Sequence, residues 1–159
     1  MAPAHVEELA QGDPRELALE NARRKALAVP GALVLGADTD VGLDGDVLGK
    51  PRDAEHAAEL LRRLSGRRHE VVGGIAIAEH GEITAQEVVV TAVDFRALDA
   101  ATLDWYVATG EWRGRAGGYA IQGRGAALVA GIEGDYLNVV GLPLARLLEL
   151  RPDLLTPRP

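Results

Sequence analysis

Apolar and polar positions along the chain switch between a helical period and a strand period, and the switches outline its elements. Asp13-Pro14-Arg15-Glu16 joins a capping carboxylate, a proline at the first helical position and an acidic first turn. It predicts a helix over about 13–29 that Pro30-Gly31 ends. Next, "ALVLGAD" is short and almost wholly apolar, which predicts a buried strand with Asp38 at its carboxyl end, where open α/β sheets place ligands. Asp44-Gly45 is a hairpin signal that pairs "DTDVGL" with "DVLG". Asp53 caps a second helix whose Ala57, Leu60, Leu61 and Leu64 share one face and which stops at Ser65-Gly66. From His69 the pattern is β, with two long strands joined near His80-Gly81. A helix over about 99–109 follows, and then "GYAIQG" and "GAALVAGIEGDYLNVVG" alternate like strands. Pro143 begins a last helix, and the proline-punctuated tail over about 151–159 is expected to be flexible. The elements make a single α/β domain over 1–159, with no internal repeat.

Composition narrows what such a domain does. The 159 residues are 47% hydrophobic, ample for one packed core. Seventeen basic against 24 acidic residues give a net charge of −7, which argues against a sequence-independent grip on duplex nucleic acid. A small phosphorylated ligand stays open, because it needs only a few local cations. The absence of cysteine excludes disulfides, thiolate metal sites and thiol nucleophiles, and it fits a reducing cytosol. The first residues lack a basic start followed by an apolar stretch, and no segment approaches the ~18 uninterrupted apolar residues of a spanning helix. The expectation is a cytoplasmic protein with no membrane partner.

Candidate chemistry concentrates in residues 36–51, "GADTDVGLDGDVLGKP". Counted from Asp38 as a calcium loop, positions five, six and twelve are Gly42, Leu43 and Gly49 where a ligand, a glycine and a glutamate are needed. As a Walker loop, "GDVLGKP" is one residue short between its glycines and has Pro51 where Ser or Thr is required. "GRGAALVAG" lacks the third glycine of a dinucleotide fingerprint, and the four histidines have no paired metal-ligand spacing. What remains is a carboxylate, Asp38, and a Lys-Pro that the hairpin returns toward it. Asp38 could equally cap a turn, and Lys50 could be an ordinary solvated side chain.

The order of further pieces resembles the Maf family, the septum-formation-inhibitor-like nucleoside triphosphate pyrophosphatases. Those pieces are "VEEL" (6–9), "ARRKALAV" (22–29), "GADT" (36–39), "LGKP" (48–51), "LSGRRHEVVGGIAI" (64–77), "VVVTAVDF" (88–95), "TGEWRGRAGGYAIQGRGA" (109–126) and "NVVGLPL" (138–144). The resemblance implies an α/β fold with a long, bent mixed sheet flanked by helices around a nucleotide cleft, and a homodimer. It implies hydrolysis of a nucleoside triphosphate to the monophosphate and pyrophosphate with a divalent metal, Mg²⁺ or Mn²⁺. Carried over residue by residue, Asp38 is the general base and a metal ligand, Glu8 is a second acidic metal group, and Lys25 and Lys50 contact the phosphates. Thr39 and Gln122 match the branch acting on dTTP and UTP, and a buried amide can read the edge of a pyrimidine. The bland alternatives are a solvated Glu8, a Lys25 belonging to the charged run "RRK", a β-branched strand residue at 39 and a backbone-satisfied amide at 122.

In "EWRGRAGGYAIQG", Trp112 or Tyr119 could stack on a base, although Tyr119 alternates with Ile121 as a core residue does. Gly114, Gly117 and Gly118 permit a tight loop beside the cleft, and Arg115 stands where many members carry lysine. Two departures stand out. The family's first strand and Ser-x-Ser-Pro-Arg-Arg loop have no counterpart in these residues, so an N-terminally shortened, catalytically weak nucleotide-binding or interaction protein of the same fold is the alternative. Asp40 replaces the usual apolar residue on the same side of the strand as Asp38, and is a further candidate metal ligand.

Overall fold

Five strands in the order β2-β1-β3-β4-β5 form one sheet, and every neighbouring pair is antiparallel. The structure, a computed structural model, describes residues 6–156. The strands are β1 (Leu33–Leu43), β2 (Asp46–Leu48), β3 (Arg68–Glu79), β4 (Glu82–Phe95) and β5 (Val129–Glu133). The helices are α1 (Pro14–Ala28), α2 (Ala54–Leu64), α3 (Ala100–Ala108), α4 (Tyr136–Val140) and α5 (Leu144–Leu150). The α/β class and the helix-flanked sheet are as expected. Among the described residues the pairing is antiparallel throughout, where the resemblance implies a mixed sheet.

Local chemistry accounts for the elements read correctly. Asp13 accepts from the backbone N–H groups of Arg15 and Glu16, and Asp53 from that of His56, so both helices start on a satisfied cap. Asp44 and Gly45 have φ of 54° and 87°, and His80 and Gly81 have φ of 52° and 87°. Two successive positive φ values match the right-handed twist of the flanking strands, which is why these pairs turn hairpins.

α1 covers one face of the sheet, and the other helices cover the opposite face. Its close approach depends on missing side chains: a Cβ at Gly36 would lie 2.0 Å from the Ala22 carbonyl oxygen, and one at Gly74 would lie 2.2 Å from that of Ala18. On the other face, α2 contributes Leu60, Leu61 and Leu64 to a core shared with Val41, Val71, Phe95 and Tyr106. Each such leucine is worth roughly 1.5–3 kcal/mol of burial. Covered on both faces, β3 is buried without alternation from Val71 to Ala78.

Three expectations are corrected. Asp38 does not end its strand, because β1 runs on to Leu43 and places Asp38 near its middle. "GYAIQG" is a turn rather than a strand, since Gly118 has φ of 77°, the Ala120 N–H goes to the Tyr106 hydroxyl and the Gly123 N–H goes to the Ala120 carbonyl. Tyr136–Val140 is helical, started by Asp135 accepting from the Leu137 N–H, so only 129–133 of that stretch is a strand. In the tail, Pro152–Leu155 forms a short 3-10 turn, and 157–159 lie outside the described residues.

Candidate active site

β2 pairs with β1 only from Val41 onward, so among the described residues the outer edge of β1 over 33–40 has no strand partner. A cleft of about 250 Å³ wraps this open edge, and Lys25, Asp38, Thr39, Lys50, Arg115 and Gln122 help line it. Strand alternation sends Asp38 to the α1 face and Thr39 to the opposite face. The cleft reaches both because it lies at the edge.

Asp38 is buried at 8% exposure, with both carboxylate oxygens engaged. Lys25 of α1 donates to Oδ1 at 2.5 Å, and Asn21, one helical turn earlier, donates to Oδ2 at 3.2 Å. Lys25 also pairs with Glu8 Oε1 at 2.7 Å, and Lys50 pairs with Glu8 Oε2 at 3.0 Å. The hairpin turned by Asp44-Gly45 returns Lys50, which stands exposed at the rim. Glu8, Lys25, Asp38 and Lys50 therefore form a continuous chain of ion pairs.

The charges tune one another. Burial works to lower the pKa of Lys25, but its hydrogen bonds to Asp38 and Glu8 outweigh it and raise the net value. Burial likewise works to raise Glu8, and hydrogen bonds from Lys25 and Lys50 reverse this, so its pKa is lowered. Asp40 is outside the chain and does not line the cleft. Burial first, then repulsion from Asp38 and Glu8, pushes its carboxyl up to about 6, and its Oδ2 is buried with no hydrogen-bond partner.

Of the seven residues singled out in the sequence, Lys25, Asp38, Thr39, Lys50 and Gln122 meet in the cleft, Glu8 joins through its ion pairs, and Asp40 sits beside it. The aromatics are mainly core. Trp112 is 5% exposed and donates its Nε1–H to the Val107 carbonyl at 3.0 Å. Tyr119 touches the cleft, but its hydroxyl is held at 2.8 Å from His69 Nε2 and its ring packs edge-on to Phe95.

Sequence reasoning missed Asn21. Its amide donates to the Leu9 carbonyl at 3.1 Å and accepts from the Leu9 N–H at 2.8 Å while also gripping Asp38. It thus ties the segment beside Glu8 to α1. A signal was present: Leu17, Ala18, Asn21, Ala22 and Ala26 follow the buried stripe of α1, and a polar residue within such a stripe must find a partner.

Among the described residues, no helix is long and apolar enough to cross a membrane. The Maf-like protein profile matches residues 1–152. A protein of Anaeromyxobacter dehalogenans named dTTP/UTP pyrophosphatase is 54% identical over 135 residues, covering 83% of this chain and 70% of its own length. Proteins with the same name from Pyrococcus horikoshii and Myxococcus xanthus are 48% and 51% identical, covering 93% and 92% of this chain and 82% and 74% of their own lengths. The extent of these matches and the fold around the cleft lead to one assignment: the chain belongs to the family of Maf-like proteins.

Proposed function

We propose that this chain is a nucleoside triphosphate pyrophosphatase that hydrolyses dTTP and UTP to the monophosphate and pyrophosphate. The observation that carries the reading is the convergence of Asp38, two lysines and Gln122 on one cleft. The names of the relatives support the same substrates.

Cleaving the bond between the α- and β-phosphates needs a water in line with the α-phosphorus, an acceptor for its proton and cations on the triphosphate. Asp38 is the acceptor, held in orientation by Lys25 on one oxygen and Asn21 on the other. Lys25 and Lys50, paired with Glu8 in the free protein, exchange that carboxylate for phosphate oxygens when the triphosphate arrives. Their charge then stabilises the departing pyrophosphate. Gln122, exposed at the cleft wall in the free protein rather than buried as the sequence reading supposed, would present donor and acceptor to the pyrimidine edge, and a base of the wrong pattern that covered it would leave the amide unpaired.

A divalent cation fits the donor set. Among the described residues no three His, Cys, Asp or Glu side chains gather into a cage. Sites for Mg²⁺ in general use one or two carboxylates together with substrate phosphates and need no dedicated cage. Asp38 and Glu8 are the carboxylates that would hold it; Asp40, whose Oδ2 is buried and which does not line the cleft, is not placed to join them in this structure. When bound, the cation would neutralise phosphate charge and lower the pKa of a coordinated water.

The test incubates the purified chain with Mg²⁺ or Mn²⁺ and a panel of UTP, dTTP, CTP and GTP, and resolves monophosphate and pyrophosphate. Turnover is expected to be greatest for UTP and dTTP, and to fall by about 10²-fold or more in Asp38→Asn. Equal rates in the variant would remove Asp38 from the mechanism, and release of orthophosphate in place of pyrophosphate would contradict the reaction.

A further inference from the structure

Tyr119, Ala120 and Gln122 form one wall of the cleft, yet residues 119–123 belong to no helix or strand. Side chains behind the wall hold it. Glu111 Oε1 accepts the Arg124 N–H at 3.0 Å, and Glu111 Oε2 accepts the Gly125 N–H at 2.9 Å. The fully buried Tyr106 donates its hydroxyl to Glu111 Oε2 at 2.9 Å, and the same hydroxyl accepts the Ala120 N–H at 3.1 Å. Bonds at 120 on one side and at 124 and 125 on the other bracket Gln122.

Two observations bear on how the clasp is held. A Cβ at Gly123 would fall 1.9 Å from Glu111 Oε1, so a larger residue there would displace the carboxylate from the backbone N–H groups it accepts. Burial works to raise the Glu111 pKa, but the two backbone N–H bonds outweigh it and the net shift is downward, keeping the carboxylate charged and accepting. Neither Glu111 nor Tyr106 lines the cleft.

We infer that Glu111 and Tyr106 are a positioning pair for base selection: they set the place of Gln122 in the cleft, and through it the discrimination between pyrimidine and purine triphosphates. The inference rests on the role of Gln122 proposed above. It deepens that role, because an amide selects a base only where its backbone is held still. The phosphate-handling group takes Lys25 from α1, Asp38 from β1, Glu8 from the segment before α1 and Lys50 from the segment after β2, and none of the four is hydrogen-bonded to Glu111 or Tyr106.

The experiment measures kcat and KM for UTP and GTP in the wild type, Glu111→Gln, Tyr106→Phe and Gln122→Ala, with thermal unfolding midpoints for each. Glu111→Gln keeps the shape but offers one acceptor where two backbone donors need it, and Tyr106→Phe keeps the ring and removes only the hydroxyl. KM for UTP is expected to rise about tenfold in either clasp variant, with kcat little changed, and the UTP-to-GTP ratio of kcat/KM to fall by a similar factor. A structural role alone would lower both substrates in proportion and leave the ratio intact, which would overturn the inference. If Glu111→Gln does not fold, Tyr106→Phe decides by the same ratio. Loss of preference in Gln122→Ala with preference retained in both clasp variants defeats the clasp alone. A wild type with no preference for UTP defeats the reading of Gln122 and this inference together.

Discussion

Asp38 is gripped on both carboxylate oxygens, and the two grips differ in what a substitution would do. Lys25 supplies charge, whereas Asn21 supplies a neutral donor that also ties Leu9 to α1. Asn21→Ala is expected to cost about 1–2 kcal/mol of stability and to lower kcat/KM for UTP by loosening Asp38 and Glu8 together. Asn21→Asp has the same size but sets a second negative charge against Asp38, so it is expected to lose more activity than Asn21→Ala; the opposite order in steady-state kinetics would contradict this account of the amide. The buried His69 and the partly buried Asp40 titrate in opposite senses. His69 is pushed by burial from 6.5 down to about 4, so below pH 6.5 the unfolded chain takes a proton that the folded chain refuses until about pH 4. Its contribution is complete above about pH 6.5 and is lost as pH falls through that window. Asp40 runs the other way, from 3.8 up to about 6: the folded chain keeps a proton the unfolded chain has released, so this stabilisation is present at low pH and is lost as pH rises to about 6. Asp40→Asn is therefore expected to steepen the loss of stability between pH 7 and 4.5, and His69→Gln to flatten it, each by up to about 3 kcal/mol in urea unfolding. Unchanged pH slopes in both variants would contradict the assignment.

At the scale of elements, the site depends on how closely α1 lies against the sheet. Gly36 and Gly74 admit the helix backbone where any side chain would collide with the carbonyls of Ala22 and Ala18. Gly74 pairs directly with Asp38, so one of the two close approaches of the helix lies beside the carboxylate proposed as the general base. Gly74→Ala is expected to cost about 3 kcal/mol or more by overpacking and to draw Lys25 and Asn21 away from Asp38, so a folded variant loses kcat even where it binds nucleotide. Full activity in Gly74→Ala would mean that α1 can shift without consequence. Elements whose signals are local were legible in the sequence: the caps at Asp13 and Asp53, the turns at Asp44-Gly45 and His80-Gly81, and the apolar face of α2. Within 118–141 the strand at 129–133 was legible, but 118–128 and 136–140 were misread because backbone donors there are taken by Tyr106, Glu111 and Asp135, groups whose capture of the chain is a tertiary event or one cap that alternation alone does not reveal. Asp38 and Lys50 were legible because a hairpin joins them, and Glu8 and Gln122 only through the family resemblance. Asn21 was hidden by its ordinary place in a helical stripe.

Over the whole molecule, a net charge of −7 surrounds a cleft proposed to receive a polyanion. Lys25, Lys50 and Arg115 gather at that cleft, so local cations work against the overall charge, and Glu8 pairs with two of them in the free protein. Among the described residues the edge of β1 over 33–40 has no strand partner, and there the buried Asp38 lines the cleft with these cations. The central claim is that water, activated at Asp38, attacks the α-phosphorus and that pyrophosphate leaves. Hydrolysis of UTP in ¹⁸O-labelled water, with mass analysis of both products, tests it most directly. The account predicts the label in the monophosphate, with none in pyrophosphate; label in pyrophosphate would move the attack to the β-phosphorus and contradict the role given to Asp38 and the two lysines.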